Sequence, residues 1–169
     1  MSEDVAVFAG GCFWNMEEAF GKVRGVIRTR VGYTGGKLDN PCYEDVCSGN
    51  TGHAEAVEVT FVPEAVSYRD LLKEFFNMHN PTTLNKQGPD VGTQYRSAIF
   101  CRDELQKNEA ENFVRELEEE GRFGGKEIVT EVVPLGKFWE AEKYHQKYLF
   151  KIRNQGVNPE CRVDLGKRD

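Results

Sequence analysis

Apolar positions along the chain follow two different periods, which predicts strands interleaved with helices. Apolar runs and two-residue alternation predict strands at Val5–Ala9, Val26–Val31, Ala54–Phe61, Gln94–Cys101 and Ile128–Val133. Helical spacing of apolar residues predicts helices at about Cys12–Val23, Tyr68–His79, Asp103–Glu120 and Phe138–Phe150. Asp103 has the residue type that caps a helix N-terminus. We therefore expect an α+β protein in which helices cover a mixed sheet.

Two polar, glycine-rich segments interrupt this pattern, Gly32–Gly52 and Thr82–Gly92. Loops of such length within a compact domain are usually functional, and loops on a rigid scaffold often carry chemistry. Both segments lead into a predicted strand, so we expect a site where they meet the sheet. No repeat or linker divides the sequence. We expect a single catalytic domain over residues 1–169, with a polar tail over about 154–169.

A cysteine lies where the first predicted strand turns into the first predicted helix, in Gly10-Gly11-Cys12-Phe13-Trp14. The glycines allow a tight turn and a close approach of substrate. The free N–H groups at a helix N-terminus favour a thiolate, which is the nucleophilic form of cysteine. Cys12 is therefore a candidate nucleophile beside two large aromatic side chains. The alternative is a small buried apolar residue without chemistry.

Charge and cysteine content narrow the classes of function. The 169-residue chain has a net charge of −6, which argues against a nucleic-acid partner. No apolar stretch approaches the 20 residues of a membrane span, and the acidic N-terminus is not a signal peptide. The five cysteines form no CxxC pair, which indicates free thiols in a reducing compartment. We expect a cytoplasmic protein that does not bind membranes.

Glu55 begins an otherwise apolar strand, so it is either a solvated edge residue or a buried acid with a raised pKa. The His53-Ala54-Glu55 triplet resembles half of a zinc deaminase motif, but the nearby cysteines precede it and have the wrong spacing. His53 is also the one histidine that could serve as base to Cys12 in a cysteine hydrolase. Glu142 and His145 form a single E-x-x-H, which favours an ordinary helix face over a di-iron site.

Taken together, several motifs resemble the peptide methionine sulfoxide reductase A family, in that family's order and over nearly the whole chain. They are Gly10-Gly11-Cys12-Phe13-Trp14; Asn40-Pro41 with Tyr43 and Val46-Cys47-Ser48-Gly49; Gly52-His53-Ala54-Glu55-Ala56-Val57; Gln87-Gly88 with Asp90 and Gly92-Thr93-Gln94-Tyr95-Arg96-Ser97; and Phe138 with Ala141-Glu142 and Tyr144-His145-Gln146. The resemblance implies a thiol-dependent oxidoreductase that reduces methionine S-sulfoxide, free or in proteins, to methionine. Its role would be protein repair under oxidative stress, with no cofactor and no metal.

The resemblance also implies a role for each residue of the site. Cys12 would attack the sulfoxide sulfur, and Glu55 would protonate the sulfoxide oxygen. Tyr43 and Tyr95 would donate hydrogen bonds to that oxygen, and Asp90 would shape the pocket. Hydrogen-bond donors that point at an oxygen gaining negative charge stabilise the transition state.

Phe13 and Trp14 would hold the terminal methyl group of the substrate. The family fold implied by the resemblance is a two-layer α/β sandwich of ferredoxin-like kind, with a mixed sheet and long loops. Asn15 departs from the family pattern, which usually has glycine or another small residue there. We expect this departure to alter the helix surface more than the chemistry.

After oxygen transfer, the Cys12 sulfenic acid would condense with a second thiol to a disulfide that thioredoxin or another dithiol reduces. The resolving position varies within the family. Cys161, in a polar tail punctuated by glycine and proline, is the expected resolving cysteine, and Cys42 is the alternative. Cys47 and Cys101 are interpreted as structural. We expect a monomer.

Overall fold

A six-stranded mixed sheet forms the centre of the protein in the computed structural model, which describes residues 2–154. The strands of the described chain are β1 (Asp4–Ala9), β2 (Val26–Thr34), β3 (Ala54–Phe61), β4 (Lys86–Gln87), β5 (Asp90–Val91), β6 (Ala98–Cys101), β7 (Glu131–Pro134) and β8 (Trp139–Glu140). The large sheet has the order β7-β6-β1-β3-β2-β8, and β4 pairs with β5 in a separate hairpin. Within the large sheet β6 and β7 are parallel and the other neighbours antiparallel. The mixed sheet predicted from the sequence is confirmed.

The described chain contains five α-helices: α1 (Phe13–Gly21), α2 (Tyr43–Cys47), α3 (Tyr68–Met78), α4 (Glu104–Glu119) and α5 (Tyr148–Asn154). Their apolar faces bury the strand side chains that point to one side of the sheet. Phe8 of β1 stacks against Phe20 of α1 and Phe75 of α3, each at a centroid distance of 5.0 Å. Burial of each such ring stabilises the fold by about 1.5–3 kcal/mol. This packing holds α1 and α3 against the sheet.

Helix caps follow the sequence signals. The side chain of Asp103 accepts a hydrogen bond from Gln106 N at 3.0 Å, so the predicted cap of α4 is confirmed. Ser67 caps α3 by accepting from Asp70 N at 3.0 Å. Replacing such a cap by alanine costs about 0.5–2 kcal/mol.

The prediction of one helix over Phe138–Phe150 is wrong. The segment contains β8, a 3₁₀ turn at Lys143–His145 and the start of α5. Gln146 explains the interruption, because its amide binds both N and O of Val31 at 2.9 Å and so ties the segment to the sheet. Lys147 has a φ of 54°, which a continuous α-helix does not allow.

The two glycine-rich segments contain more regular structure than predicted. The segment predicted as Gly32–Gly52 contains the end of β2 and the short α2, while Thr82–Gly92 contains the β4–β5 hairpin. The predicted strand Gln94–Cys101 is a strand only from Ala98, because Thr93–Tyr95 forms a 3₁₀ turn. The predicted strand Ile128–Val133 likewise begins at Glu131. Among residues 2–154, no helix is long and apolar enough to cross a membrane.

Candidate active site

Cys12 occupies the turn between β1 and α1, as the sequence predicts. It is the N-cap residue of α1 and follows Gly11, whose φ is 94°. A Cβ on Gly11 would lie 2.8 Å from Gln87 Cγ, and one on Gly10 would lie 2.9 Å from His79 Cδ2. The two glycines therefore let the cysteine turn press against the end of α3 and the β4–β5 hairpin.

The surroundings of the Cys12 thiol raise its pKa, which is the opposite direction to the thiolate that the helix start favours. Burial of the sulfur, and then the charge of Glu55, raise the pKa of Cys12 from 9.0 to about 12. Hydrogen bonds from the backbone of Trp14 and Asn15 lower the pKa, but by less than burial and Glu55 raise it. The helix N-terminus acts in the predicted direction, and desolvation outweighs it.

Glu55 is a buried carboxyl group beside this thiol. It lies on β3 opposite Tyr33 of β2, and its residue is 1% exposed. Its Oε1 accepts a hydrogen bond from Phe13 N, the first N–H of α1, at 3.2 Å. The edge-residue alternative is therefore wrong, and the carboxyl group lies close enough to Cys12 for its charge to raise the thiol pKa.

The two predicted tyrosines lie on separate elements and face the same group. Tyr43 is the first residue of α2, and Tyr95 ends the 3₁₀ turn at Thr93–Tyr95. Burial is the largest cause that raises the pKa of each phenol above its ordinary value, and the charge of Glu55 adds to it. Both hydroxyls therefore keep their protons near neutral pH, as hydrogen-bond donors must.

Asp90 approaches the site from the β4–β5 hairpin, where it pairs with Gln87. Its charge is a further cause of the raised pKa of both Cys12 and Tyr95. The hairpin is held in place by the amide of Gln87, which accepts from Asn80 N at 2.8 Å and donates to Asn80 O at 2.9 Å.

Aromatic rings form a wall next to the cysteine turn. Phe13 and Trp14 are 1% and 4% exposed. The ring of His145 lies 5.2 Å from that of Phe13, and Trp14 stacks on Tyr148 at 3.9 Å. Trp14 Nε1 donates to His145 Nδ1 at 3.0 Å. These rings are thus buried next to Cys12 in the chain, and the hydrogen bond to His145 fixes the Trp14 ring.

Sequence reasoning missed part of this wall. His145 was expected on an ordinary helix face, yet it is fully buried, and its ring lies 4.6 Å from that of Tyr43. Two further residues were not predicted as part of the site: Glu142, which accepts a hydrogen bond from Tyr43 N, and Tyr148, whose ring stacks on Trp14. The Glu142-x-x-His145 pair in the sequence could have pointed to these residues. It was instead assigned to the exposed face of a helix that the structure does not contain.

His53 does not serve as a base to Cys12. Its Nδ1 accepts from Gly36 N at 3.0 Å, and its Nε2 binds Leu38 O at 2.7 Å. Both ring nitrogens are thereby engaged by the loop that precedes α2, which leaves neither for a metal or a thiol. Among residues 2–154, no group of three histidine, cysteine or acidic side chains is placed to hold a metal ion.

Four cysteines lie in the described chain, and all are free thiols. Cys42 is the N-cap of α2, next to Tyr43, and Cys101 is buried on β6 as expected of a structural residue. Cys47 was also interpreted as structural, but it is exposed, and its thiol hydrogen-bonds the Tyr43 phenol. Cys161 lies outside the described residues.

This arrangement suits a particular kind of substrate. The charge of a buried carboxyl group reaches a thiol and two protonated phenols, and two buried aromatic residues follow the thiol in the chain. Such donors stabilise an oxygen that gains negative charge, while the wall accommodates a small apolar group.

Comparisons with known proteins identify the family to which this chain is similar. A family model described as peptide methionine sulfoxide reductase matches residues 4–168. A relative from Methanothermobacter thermautotrophicus, named peptide methionine sulfoxide reductase MsrA, is 60% identical over 146 residues, which are 86% of this chain and 86% of the relative.

Solved structures show the same fold. The reduced form of Mxr1 from Saccharomyces cerevisiae superposes with a TM-score of 0.83 at 36% identity, covering 88% of this chain and 85% of that one. Mxr1 in complex with Trx2 superposes with a TM-score of 0.61 at 25% identity, covering 86% of this chain and 84% of that one.

Proposed function

Because this chain belongs to the peptide methionine sulfoxide reductase A family, it is an oxidoreductase acting on methionine sulfoxide, and we propose that Cys12 carries the reaction. In the first step the Cys12 sulfur attacks the sulfoxide sulfur and forms a sulfur–sulfur bond, while the thiol proton is transferred to the sulfoxide oxygen. The substrate sulfur–oxygen bond and the new sulfur–sulfur bond then break as the hydroxyl bonds to the Cys12 sulfur, so methionine leaves and Cys12 remains as a sulfenic acid. The substrate sulfur is reduced and the cysteine sulfur is oxidised by the same two electrons.

Glu55 moves the proton in this step. The Cys12 thiol has a pKa of about 12, so it must lose its proton as the new bond forms. The adjacent carboxyl group, which is 1% exposed and held by Phe13 N, can accept the thiol proton and deliver a proton to the sulfoxide oxygen. This buried carboxyl beside the thiol is the observation that carries the proposal. Positioned acids of this kind contribute typically about 10²–10⁴-fold to a rate.

Tyr43 and Tyr95 stabilise the oxygen as its charge develops. Both phenols are protonated donors, and both lie close enough to Glu55 for its charge to raise their pKa. Removal of one such donor typically costs about 10²–10³-fold in rate. Asp90 shapes the hairpin side of the pocket, and its charge reaches both Cys12 and Tyr95.

Phe13 and Trp14 hold the methyl group of the sulfoxide. Their buried rings adjoin Cys12 in sequence and contact His145 in space. A methyl group against this wall leaves the sulfoxide oxygen to face the phenols. We assign the S epimer at sulfur to this pocket from the family, and the substrate is methionine sulfoxide, free or in proteins.

The recycling step condenses the sulfenic acid with a second thiol, releasing water and forming a disulfide. We propose Cys161 as that thiol and Cys42 as the alternative, since Cys42 lies next to Tyr43 in the site. A dithiol such as thioredoxin then reduces the disulfide. The structure of Mxr1 in complex with Trx2 supports a partner of this type.

We also propose one ferredoxin-like catalytic domain over residues 1–169. The order β6-β1-β3-β2, with α1 after β1 and α3 after β3, supports the β-α-β-β-α-β arrangement of that fold. The match of the family model over residues 4–168 supports the domain bounds. A monomer in the cytoplasm, acting in protein repair without a cofactor, completes the proposal.

The test of this function is methionine formation from each epimer of free methionine sulfoxide with excess dithiothreitol. We expect the S epimer to be consumed and the R epimer to persist. Cys12→Ser, a nearly isosteric change, should form no methionine. Activity of Cys12→Ser above a trace would contradict the assignment of the nucleophile, and a reaction of both epimers would contradict the assigned pocket.

A further inference from the structure

The Glu142 carboxylate lies where three elements of the site meet. Its Oε1 accepts from the Tyr33 hydroxyl of β2 at 2.9 Å. Its Oε2 accepts from Tyr43 N, at the start of α2, at 2.8 Å. His145 Nε2 lies 4.0 Å from Oε1, within the 3₁₀ turn that follows Glu142. The Glu142 side chain thus contacts β2 of the sheet, the start of α2 and the turn that contains His145.

This carboxylate is held in its charged form. Burial would raise the pKa of Glu142, but hydrogen bonds from Tyr43 N and the Tyr33 hydroxyl outweigh burial and keep the pKa below its ordinary value. Charge-assisted hydrogen bonds of this type are shorter and about twice as strong as neutral ones. The two hydrogen bonds therefore hold the Glu142 carboxylate, the Tyr33 hydroxyl and Tyr43 N in fixed positions.

A second connection runs through His145 to Trp14. An indole N–H can only donate, so His145 Nδ1, which it contacts at 3.0 Å, must accept. The neutral ring then carries its proton on Nε2, the nitrogen that faces Glu142. A carboxylate on that side favours this tautomer, and this tautomer is the one that can hold Trp14.

We propose that Glu142 is a positioning residue that sets the distance between the two sides of the pocket. On one side it fixes the backbone of Tyr43, whose hydroxyl donates a hydrogen bond to the sulfoxide oxygen. On the other it orients His145, which holds the Trp14 ring against the substrate methyl group. This inference rests on the proposed function, since it assigns those two sides their roles. A misplacement of about 1 Å at such a site can cost about 10²-fold in rate.

The test compares Glu142→Ala and Glu142→Gln with wild type. Methionine formation from methionine S-sulfoxide is measured with saturating dithiothreitol, together with the thermal midpoint of each protein. We expect Glu142→Ala to lower kcat/KM by roughly 10- to 100-fold, mainly through kcat. The reason is that the hydrogen bond from the Tyr43 hydroxyl to the sulfoxide oxygen strengthens as that oxygen gains negative charge. Glu142→Gln keeps an acceptor for Tyr43 N and can donate to the Tyr33 oxygen, so it should stay within about fivefold of wild type.

Glu140→Ala is the matched control. Glu140 lies two residues earlier on β8, and its half-exposed side chain pairs with Arg30 at 3.0 Å. Loss of an exposed ion pair has little effect, so this variant should match wild type. The rate of Cys12 alkylation by iodoacetamide should stay within about twofold in every variant, because Glu142 is not among the groups that set the Cys12 pKa.

Glu142→Ala within about threefold of wild type, or a loss that follows only the folded fraction, would overturn the inference. If Glu142→Ala does not fold, Tyr33→Phe removes one of the two hydrogen bonds to the carboxylate and should still lower kcat by severalfold; an unchanged kcat would overturn the inference. A wild-type protein that forms no methionine is a different result, because it refutes the proposed function itself.

Discussion

The raised pKa of Cys12 predicts that this cysteine reacts slowly with simple alkylating agents in the absence of substrate. Only the thiolate reacts. A pKa of about 12 in place of 9.0 leaves about a thousandfold less thiolate at neutral pH than an ordinary cysteine has. The measurement is the pseudo-first-order rate of iodoacetamide modification from pH 7 to 10.5, resolved by peptide mass spectrometry. Exposed Cys47 provides a reference within the same sample.

The rate at Cys12 should rise about tenfold per pH unit and show no plateau in this range, because the thiol is still mostly protonated at its upper end. Glu55→Gln removes the second-largest cause of the raised pKa, so it should accelerate Cys12 alkylation at every pH. The rate should nevertheless stay below that of an ordinary cysteine, since burial is the larger cause. A plateau below pH 9, or modification of Cys12 before Cys47, would refute the reasoning and restore the thiolate expected from the helix start.

Three further predictions follow from the site and its surroundings. Glu55→Gln should slow the single-turnover formation of methionine by about 10²–10⁴-fold, and an unchanged rate would refute its role in proton delivery. Cys161→Ser should still form one methionine per chain but lose thioredoxin-driven cycling, whereas a mapped Cys12–Cys42 disulfide in wild type would transfer the resolving role to Cys42. Burial lowers the pKa of His79 to about 4 from 6.5, so the unfolded chain binds the proton more readily. Stability should therefore fall by up to about 3 kcal/mol as the pH drops from 6.5 toward 4, and urea unfolding of His79→Gln should show a flatter pH dependence.

Sequence reasoning located the site where local patterns determine structure. The glycine pair before Cys12 and the apolar spacing after it were enough to place the cysteine at a strand-to-helix turn, as found. The alternating pattern around Glu55 placed it on a strand, although the pattern left burial open. The family motifs then pointed to Tyr43, Tyr95 and further residues from distant parts of the chain.

The features that the sequence did not predict depend on tertiary contacts. The apolar spacing from Phe138 favours a helix, but bonds between the Gln146 amide and the Val31 backbone fix a different conformation. His145 consequently enters the core, where its ring contacts Tyr43. The direction of the Cys12 pKa shift also differs from the expectation, because burial dominates it and a local sequence pattern does not show how deeply the thiol is buried.

The central claim is that oxygen passes from methionine sulfoxide to the Cys12 sulfur, and its most direct test is to trap the product. Wild-type protein is mixed with one equivalent of methionine S-sulfoxide and with dimedone, without any reductant. Peptide mass spectrometry then locates the adduct. The account predicts a dimedone adduct on Cys12, with adduct and Cys12 disulfide together equal in amount to the methionine formed, and no adduct in a control given methionine instead of the sulfoxide. Methionine formation with the adduct on another cysteine, in a protein whose Cys12 remains a free thiol, would contradict it.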